Sequence, residues 1–284
     1  MLRQPYVEIP KSRLAVWSGR LALFALIVAA LSVIILRLDL LEIGPALATF
    51  AAALGFAVVA MLLAFASFVP IWREGLGGLR HSIEALLVAI ILLAYPGYLA
   101  VKAYKLPPIN DITTDAVNPP RFDVLARLRP RGTSDYPGRA TAELQSAAYP
   151  DISPLEVTAN AKDAYDSAIK VITKRKWRIV DAQAPAPGRN GIIEAVARTT
   201  IMGFRDDVVV RITPLANNAA RVDVRSASRY GKIDFGANAA RVSKLLDDID
   251  DEVDSIPEPK AEPAPAPASK QPTQPKRGAP PAKR

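Results

Sequence analysis

The sequence has no cysteine and one histidine, His81. Without thiols, the chain has no disulfide, no thiolate zinc site and no thiol nucleophile. His81 lies between two hydrophobic segments, so the chain that follows them has no imidazole for general base catalysis or metal ligation. The sequence therefore lacks the side chains on which many hydrolases and zinc proteins depend.

A concentrated positive charge is also lacking in the middle of the chain. The net charge is +8, but residues 1–101 contribute +2 from seven Lys/Arg and five Asp/Glu, and residues 257–284 contribute +4 from six and two. The remaining +2 belongs to residues 102–256, where 23 cationic side chains stand against 21 acidic ones. Because a nucleic-acid-binding domain carries a clear basic surface, no nucleic-acid partner is expected.

Uncharged hydrophobic runs dominate the first 101 residues. They cover residues 21–36, 43–71 and 85–101, and a bilayer requires about 20 apolar residues per helix. A cleaved signal peptide is the alternative for the first run, but that run has no clear small-residue cleavage site and two further runs follow. We predict three membrane-spanning helices at about 14–36, 45–70 and 83–101.

The charges of the short loops predict the orientation of these helices. The first loop, RLDLLE, has one Arg and two acids, whereas the second, WREGLGGLRHS, has two Arg and one Glu. Positive residues collect on the cytoplasmic side of a membrane. Four more precede the first run: Arg3, Lys11, Arg13 and Arg20. We therefore predict a protein of the bacterial inner (cytoplasmic) membrane, with a cytoplasmic N-terminus and a periplasmic C-terminal domain.

Two segments without apolar periodicity flank the predicted soluble domain. Residues 102–153 are rich in Pro, Asp, Thr and Arg and are predicted to form a connector without helices, because X-Pro steps favour extended backbone. Residues 257–284 contain nine prolines, a composition typical of a disordered tail. Such a basic tail is either simply solvated or contacts anionic lipid or cell-wall carboxylates.

Residues 154–256 have the pattern of a small α+β domain. An apolar stripe at helical spacing covers residues 161–176, after the N-cap Asn160 with Asp163 in a capping-box-like position. Four strand-like segments follow, WRIVDAQ, GIIEAVART, DDVVVRIT and ARVDVRSAS, and a second helix runs from about 236 to 253. This α-β-β-β-β-α order predicts a four-stranded antiparallel sheet packed against two helices on one face, similar to a helix-grip fold.

The turns between the strands predict how the strands pair. A last hairpin centred on PLANNA sets Arg211 opposite Asp223, and a hairpin around TTIMGFRD sets Arg198 opposite Asp207 and Glu194 opposite Arg211. Both hairpins place charged residues on one face, which is predicted to be open to water. The residues predicted to face the helices are Ile193, Ala195, Val208, Val210, Ile212, Val222 and Val224.

The stretch 222–242 joins the last strand to the second helix and is rich in charge. Asp234 is predicted to cap the helix, and Ser226 and Ser228 are predicted to point toward the helix layer. A purely structural turn between the strand and the helix, called the corner here, explains most of these residue types. The functional alternative is a recess that binds a carboxylate or phosphate. Its cations would be Arg225, Arg229 and Arg241.

The loop TTIMGFRDD is predicted to lie at the same end of the sheet as this corner. Ile201, Met202 and Phe204 form an apolar tip beside Arg205 and Asp206. The tip either plugs the end of the core or contacts a lipid or protein partner. Phe204 is therefore counted among the candidate residues.

Three blocks, NDITTDAVNPPRF, GFRDDVVVRI and RVDVRSASRYGKIDFGANAARV, resemble the signature segments of one family. They are similar to the bacterial and plastid family called domain of unknown function 1499, over about residues 107–250, and the upstream spans are similar to those of its membrane-anchored alphaproteobacterial members. That family has no established reaction or cofactor, so the resemblance implies candidate positions and no activity. Those positions are Asp111, Thr113, Thr114, Asp115, Asp206, Asp207, Arg225, Ser226, Ser228, Arg229, Asp234, Asn238 and Arg241.

These observations predict a membrane-anchored cell-envelope protein that acts as a non-catalytic binding or scaffold module. Its expected partners are the inner membrane and an envelope protein, an anionic lipid or the cell wall. A hydrolase or metal-dependent enzyme that uses the Asp-rich segments is the first alternative. A small transporter or channel component is the second, although the spans contain no charge pair. No catalytic residue, cofactor or metal ligand is assigned, and the sequence does not determine the oligomeric state.

Overall fold

The computed structural model describes residues 9–129 and 133–256. Three long helices come first: α1 Arg13–Arg37, α2 Ile43–Glu74 and α3 Leu79–Lys105. Each is long and apolar enough to cross a membrane, and each contains one of the predicted spans. The predicted disordered tail and Arg3 lie outside the described residues.

The three helices pack together through small side chains. Ala22, Ala60 and Ala85 are buried in one cluster between them, and the hydroxyls of Ser67 and Ser82 lie 2.6 Å apart. Small residues let helix backbones approach closely in lipid, where apolar surface alone does not drive association. Large apolar side chains on all three helices are exposed, and this arrangement favours a position in a bilayer.

The soluble domain is built on an antiparallel sheet of six strands, so the prediction of four was wrong. The two additional strands have three residues each, too short to show the alternation by which a strand is recognised. They pair with the same edge of the last strand, and the other four form the predicted meander. The strands are β1 Asp111–Thr113, β2 Leu155–Val157, β3 Arg178–Gln183, β4 Gly191–Arg198, β5 Arg205–Pro214 and β6 Ala220–Ser228.

Two helices, α5 Ala161–Lys174 and α6 Ala237–Asp254, pack on one face of the sheet, as predicted. Asn160 caps α5 by accepting a hydrogen bond from the Asp163 N–H at 2.8 Å. The apolar residues predicted to face the helices all belong to this core.

The connector 102–153, predicted without helices, contains the helix α4 Arg139–Ala148 and a 3₁₀ turn Leu125–Leu128. Helix α4 has 10 residues and buries one side chain, that of Gln145. It therefore has no apolar stripe from which a sequence pattern could detect it.

The register of β5 with β6 is as predicted, with Arg211 opposite Asp223. The predicted register of β4 with β5 was wrong by two residues, because Glu194 lies opposite Val209 and Arg198 opposite Arg205. The connecting loop is tighter than predicted and is closed by bonds between residues 199 and 204. A shift of two residues keeps each side chain on its predicted face, because strand side chains alternate with period two.

The face of the sheet predicted to be open to water is covered, so this prediction was also wrong. Residues 114–129, named the strap here, cross this face and pack Phe122 and Leu125 against Val209 and its apolar neighbours. Four charged residues of this face therefore lie in a closed layer, where the connector supplies the partners that water was expected to supply. Their exposed fractions are 0% for Glu194, 0% for Asp207, 1% for Asp223 and 1% for Arg225.

Candidate functional site

A buried polar cluster lies where β6 meets the first turns of α6. Ser226 Oγ donates to Asn238 Oδ1 at 2.7 Å, and Arg241 bonds to both of these atoms. Arg241 also pairs with Asp206 at the start of β5, while Asn238 donates to Ser228 Oγ at 2.9 Å. The two serines thus point to the helix layer as predicted. The only cation of the cluster, Arg241, already has an internal carboxylate partner.

Asp234 caps α6, as predicted. Its carboxylate accepts hydrogen bonds from the backbone N–H groups of Gly236 and Asn238, both at 2.8 Å. Burial raises the pKa of Asp234, and this effect outweighs the hydrogen bonds from those N–H groups, while the charge of Asp206 raises the pKa further. Gly236 has φ 78°, a left-handed conformation that glycine adopts without strain. These contacts give Asp234 a structural role.

Arg225 and Asp111 form a bidentate ion pair on the strap side of the sheet. The Nε–Oδ1 distance is 3.0 Å and the Nη2–Oδ2 distance is 2.7 Å, and the side chains are 1% and 5% exposed. Arg225 also donates to the carbonyls of Pro120 and Ser134, and its guanidinium carbon lies 4.7 Å from the centre of the Phe122 ring. The pair joins β1 to β6 and is closed to solvent, and Arg225 holds the strap on the sheet through Pro120 and Phe122.

Asp207 on β5 is shared by two arginines. Arg129 of the strap lies 2.8 Å from it and Arg229, just after β6, lies 2.7 Å from it. The side chains of Asp207, Arg129 and Arg229 are 0%, 4% and 6% exposed. Arg229 therefore folds back onto the sheet. Because Arg241 lies under the helices, the three arginines of the hypothetical recess do not converge on one point.

Thr114 and Asp115 attach the start of the strap to β5 and β6. Thr114 Oγ1 donates to Asp223 Oδ1 at 3.2 Å, and Asp115 accepts from Arg211 at 3.0 Å. Arg211 also donates to Asp223 at 2.9 Å, so one guanidinium bridges two carboxylates. Burial raises the pKa of Asp115, but hydrogen bonds from the Asn118 N–H and Arg211 outweigh burial and hold the pKa below its ordinary value of 3.8.

Two side chains with structural roles were not anticipated from the sequence. Glu194 was expected in water, yet it is fully buried and accepts the strap N–H groups of Asp123 at 2.5 Å and Leu125 at 2.7 Å. Gln145 of α4 accepts a hydrogen bond from the Thr113 N–H at 3.1 Å and donates one to the Thr113 C=O at 2.7 Å. It thereby occupies the edge of β1 on which a further strand would otherwise pair. No local pattern marks either role, because both partners lie far away along the chain.

The carboxylates of the enzyme hypothesis are separated from one another and paired. Asp111, Asp206 and Asp207 are held by different arginines. Within residues 9–129 and 133–256, no group of three or more His, Cys, Asp or Glu side chains is placed to share a metal ion. A carboxylate beside a guanidinium is a weak general base, because the pairing favours its charged form. This geometry gives the hypothesis of a metal-dependent hydrolase no support.

The α+β domain contacts the three apolar helices α1–α3, named the anchor here, through the loop between β4 and β5. Asp39, in the turn between α1 and α2, accepts from Arg198 at 2.8 Å and from Arg205 at 2.5 Å. Arg37 at the end of α1 donates to the carbonyl of Ile201 at 3.1 Å. These contacts, named the anchor lock here, join two segments that lie about 160 residues apart in the sequence.

An open cavity of about 670 Å³ lies between the anchor and the domain. Small-molecule sites are roughly 300–1,000 Å³ in volume. The β4–β5 loop and the corner after β6 lie at the same end of the sheet, as predicted, and the cavity lies beside them, lined by residues of both. One candidate residue, Phe204, lines it. The other candidates lie in two buried networks, which are the polar cluster at the start of α6 and the ion pairs and hydrogen bonds on the strap side of the sheet. The lining of the cavity includes Leu36, Leu40, Ile43, Phe204, Arg205 and Tyr230.

The comparison with curated proteins gives no match. The model of a family described as a protein of unknown function, DUF1499, matches residues 111–249. The match begins at the first residue of β1 and ends within α6, so it includes the whole sheet, the strap and the two buried networks. The three blocks that resemble the family signature carry most of those networks. Residues 111–249 therefore form a domain of the DUF1499 family, which the chain joins to three apolar helices.

Proposed function

We propose that this protein is a non-catalytic binding module that its three helices hold at a membrane surface. In this proposal the domain lies on the side opposite the N-terminus, which is the periplasmic side of a bacterial inner membrane. The observation that carries the proposal is the open cavity between the anchor and the domain. Residues from both parts line this cavity, so it is complete only when the domain rests on the anchor.

The distribution of charge supports binding in preference to catalysis. Arg225, Arg229 and Arg241 each neutralise an aspartate inside the domain. Arg205 beside the cavity also pairs with an aspartate, Asp39, but its side chain retains 37% exposure, and Tyr230 is 48% exposed. Partly exposed aromatic and arginine side chains are enriched in binding surfaces. The membrane-facing end of the domain is therefore the proposed binding region.

Two single-cysteine variants test the proposed orientation, because the chain has no cysteine of its own. Thr173→Cys places a thiol on the exposed surface of α5, and Glu74→Cys places one at the exposed end of α2. A membrane-impermeant maleimide added to intact cells is expected to label position 173 and to leave position 74 unlabelled until lysis. The reverse pattern would contradict the periplasmic placement.

A photo-reactive amino acid tests the binding region itself. Ile201 at the tip of the β4–β5 loop and Leu215 in the β5–β6 turn are 41% and 39% exposed, and they lie at opposite ends of the sheet. Irradiation of cells is expected to give lipid or protein adducts from position 201 and few from position 215. Equal yields from the two positions, or no adduct from position 201, would refute a binding region at the membrane end.

A further inference from the structure

The cavity between anchor and domain has an apolar side formed by the anchor. Leu36, Leu40, Leu41 and Ile43 line it at the facing ends of α1 and α2. Leu40 and Leu41, in the turn between α1 and α2, are 69% and 44% exposed, and in the proposed orientation this turn is where the helices emerge from the hydrocarbon layer. Exposed leucines at that depth are suited to contact acyl chains. This side of the cavity therefore fits the tail of a lipid.

The polar side of the cavity carries charges of both signs. Arg205 and Asp39 belong to the anchor lock and pair with each other. Glu42 also lines the cavity, and no ion pair involves it within the described part of the chain. Glu42 is the N-cap of α2, but its side chain makes no capping hydrogen bond. The carboxylate is therefore available to a cation, and the exposed part of Arg205 is available to an anion.

We propose that the cavity binds a phospholipid whose headgroup carries an ammonium group beside its phosphate, as in phosphatidylethanolamine. The ammonium lies at Glu42, the phosphate lies at Arg205 and the acyl chains run along the leucines. This inference rests on the proposed binding function and names its ligand class. A lipid with phosphate alone is disfavoured, because Glu42 would then face a second negative charge without a cation. Tyr230 at the rim has the amphipathic character of aromatic residues at headgroup depth.

Native mass spectrometry of the full-length protein tests this headgroup preference. The protein is titrated with phosphatidylethanolamine and, separately, with phosphatidylglycerol, which lacks the ammonium group. We expect the wild type to bind the first more tightly. Glu42→Gln is expected to weaken that binding roughly tenfold, the value of one charge-assisted contact. Glu74→Gln is the matched control, because Glu74 is an exposed glutamate at the opposite end of the same helix, and it should leave binding unchanged.

A cavity-filling variant tests the location independently of charge. Gly44 lines the cavity, and a Cβ added there would meet no atom within 4 Å. Gly44→Leu should therefore fold, occupy the cavity and reduce the retention of phosphatidylethanolamine at least tenfold. Gly55→Leu is the control, since Gly55 lies on the same helix with the same free space but outside the cavity lining.

The outcomes separate the inference from the function on which it rests. Equal binding of the two lipids, unchanged binding by Glu42→Gln, or unchanged binding by Gly44→Leu would overturn the headgroup assignment. If position 201 still forms adducts in that case, the proposed binding function stands without this ligand. If position 201 forms no adduct and neither lipid is retained, both proposals are overturned.

Discussion

Asp111→Asn is expected to destabilise the soluble domain by about 3 kcal/mol, the lower end of the cost of breaking a buried ion pair. The asparagine oxygen can still accept from Arg225 Nε, but its NH₂ group would face the Nη2 donor at a position where the carboxylate oxygen now lies 2.7 Å away. Arg225 cannot release its proton to relieve the mismatch. Its side chain is 1% exposed, so water does not replace the lost charge.

The unfolding of the soluble domain can be followed through Trp177 after Trp17→Phe and Trp72→Phe remove the other two tryptophans. At roughly 2–4 °C for each kcal/mol in a chain of this size, the full-length protein should lose about 6–12 °C in Tm. Glu143→Gln is the control, because Glu143 pairs with Arg139 in a salt bridge whose side chains are 64% and 92% exposed. An exposed pair of this kind contributes less than about 1 kcal/mol.

A double-mutant cycle then tests whether the lost stability comes from the ion pair between Arg225 and Asp111. Arg225→Met combined with Asp111→Asn should be less destabilising than the sum of the two single changes, by about 2 kcal/mol. If Asp111→Asn costs less than about 1 kcal/mol, or if the two changes are additive, Arg225 is not held by Asp111. The hypothesis that Arg225 binds an external anion would then regain its basis.

Three further predictions concern the strap, the anchor lock and acid stability. Glu194→Ala should leave two strap N–H groups unsatisfied and lower the free energy of unfolding by about 3 kcal/mol. Hydrogen exchange should become faster first in residues 121–126. Exchange like that of the wild type would refute the role of Glu194. Asp39→Asn should speed hydrogen exchange in residues 199–204, whereas Glu74→Gln should not. Asp115 has a lowered pKa in the folded state, so its contribution is complete above pH 3.8 and is lost as the pH falls through the folded pKa. Asp115→Asn should therefore reduce the difference between Tm values at pH 7 and pH 3, and an unchanged difference would refute this assignment.

The elements that were predicted correctly are those whose signal is local. The uncharged runs predict α1, α2 and α3 because the bilayer imposes a minimum length on any apolar helix. The capping of α5 by Asn160 and of α6 by Asp234 depends on backbone groups two to four residues away. The β5–β6 register follows from one short turn.

The candidate residues were chosen from sequence blocks, and their partners in the fold were not predictable. Opposite charges on neighbouring strands are compatible with a face in water and equally with a face under a strap. Val209 lies on the charged face of β5 although it is apolar. An apolar residue at this position of the sequence is a sign that the face is covered. The partners themselves, such as Arg129 for Asp207, lie 78 residues apart, and pairing at that distance leaves no periodicity.

The sequence by itself determined three apolar helices, the meander with its helix-facing core, and the match of residues 111–249 to the DUF1499 family, because hydrophobic spacing and signature blocks are properties of neighbouring residues. Only the tertiary structure decided that the strap covers the charged face, that β1 and β2 extend the sheet, and that Asp39 meets Arg198 and Arg205 beside an open cavity. Such pairs form between distant segments, and the free energy of bringing them together depends on the packing of the whole domain.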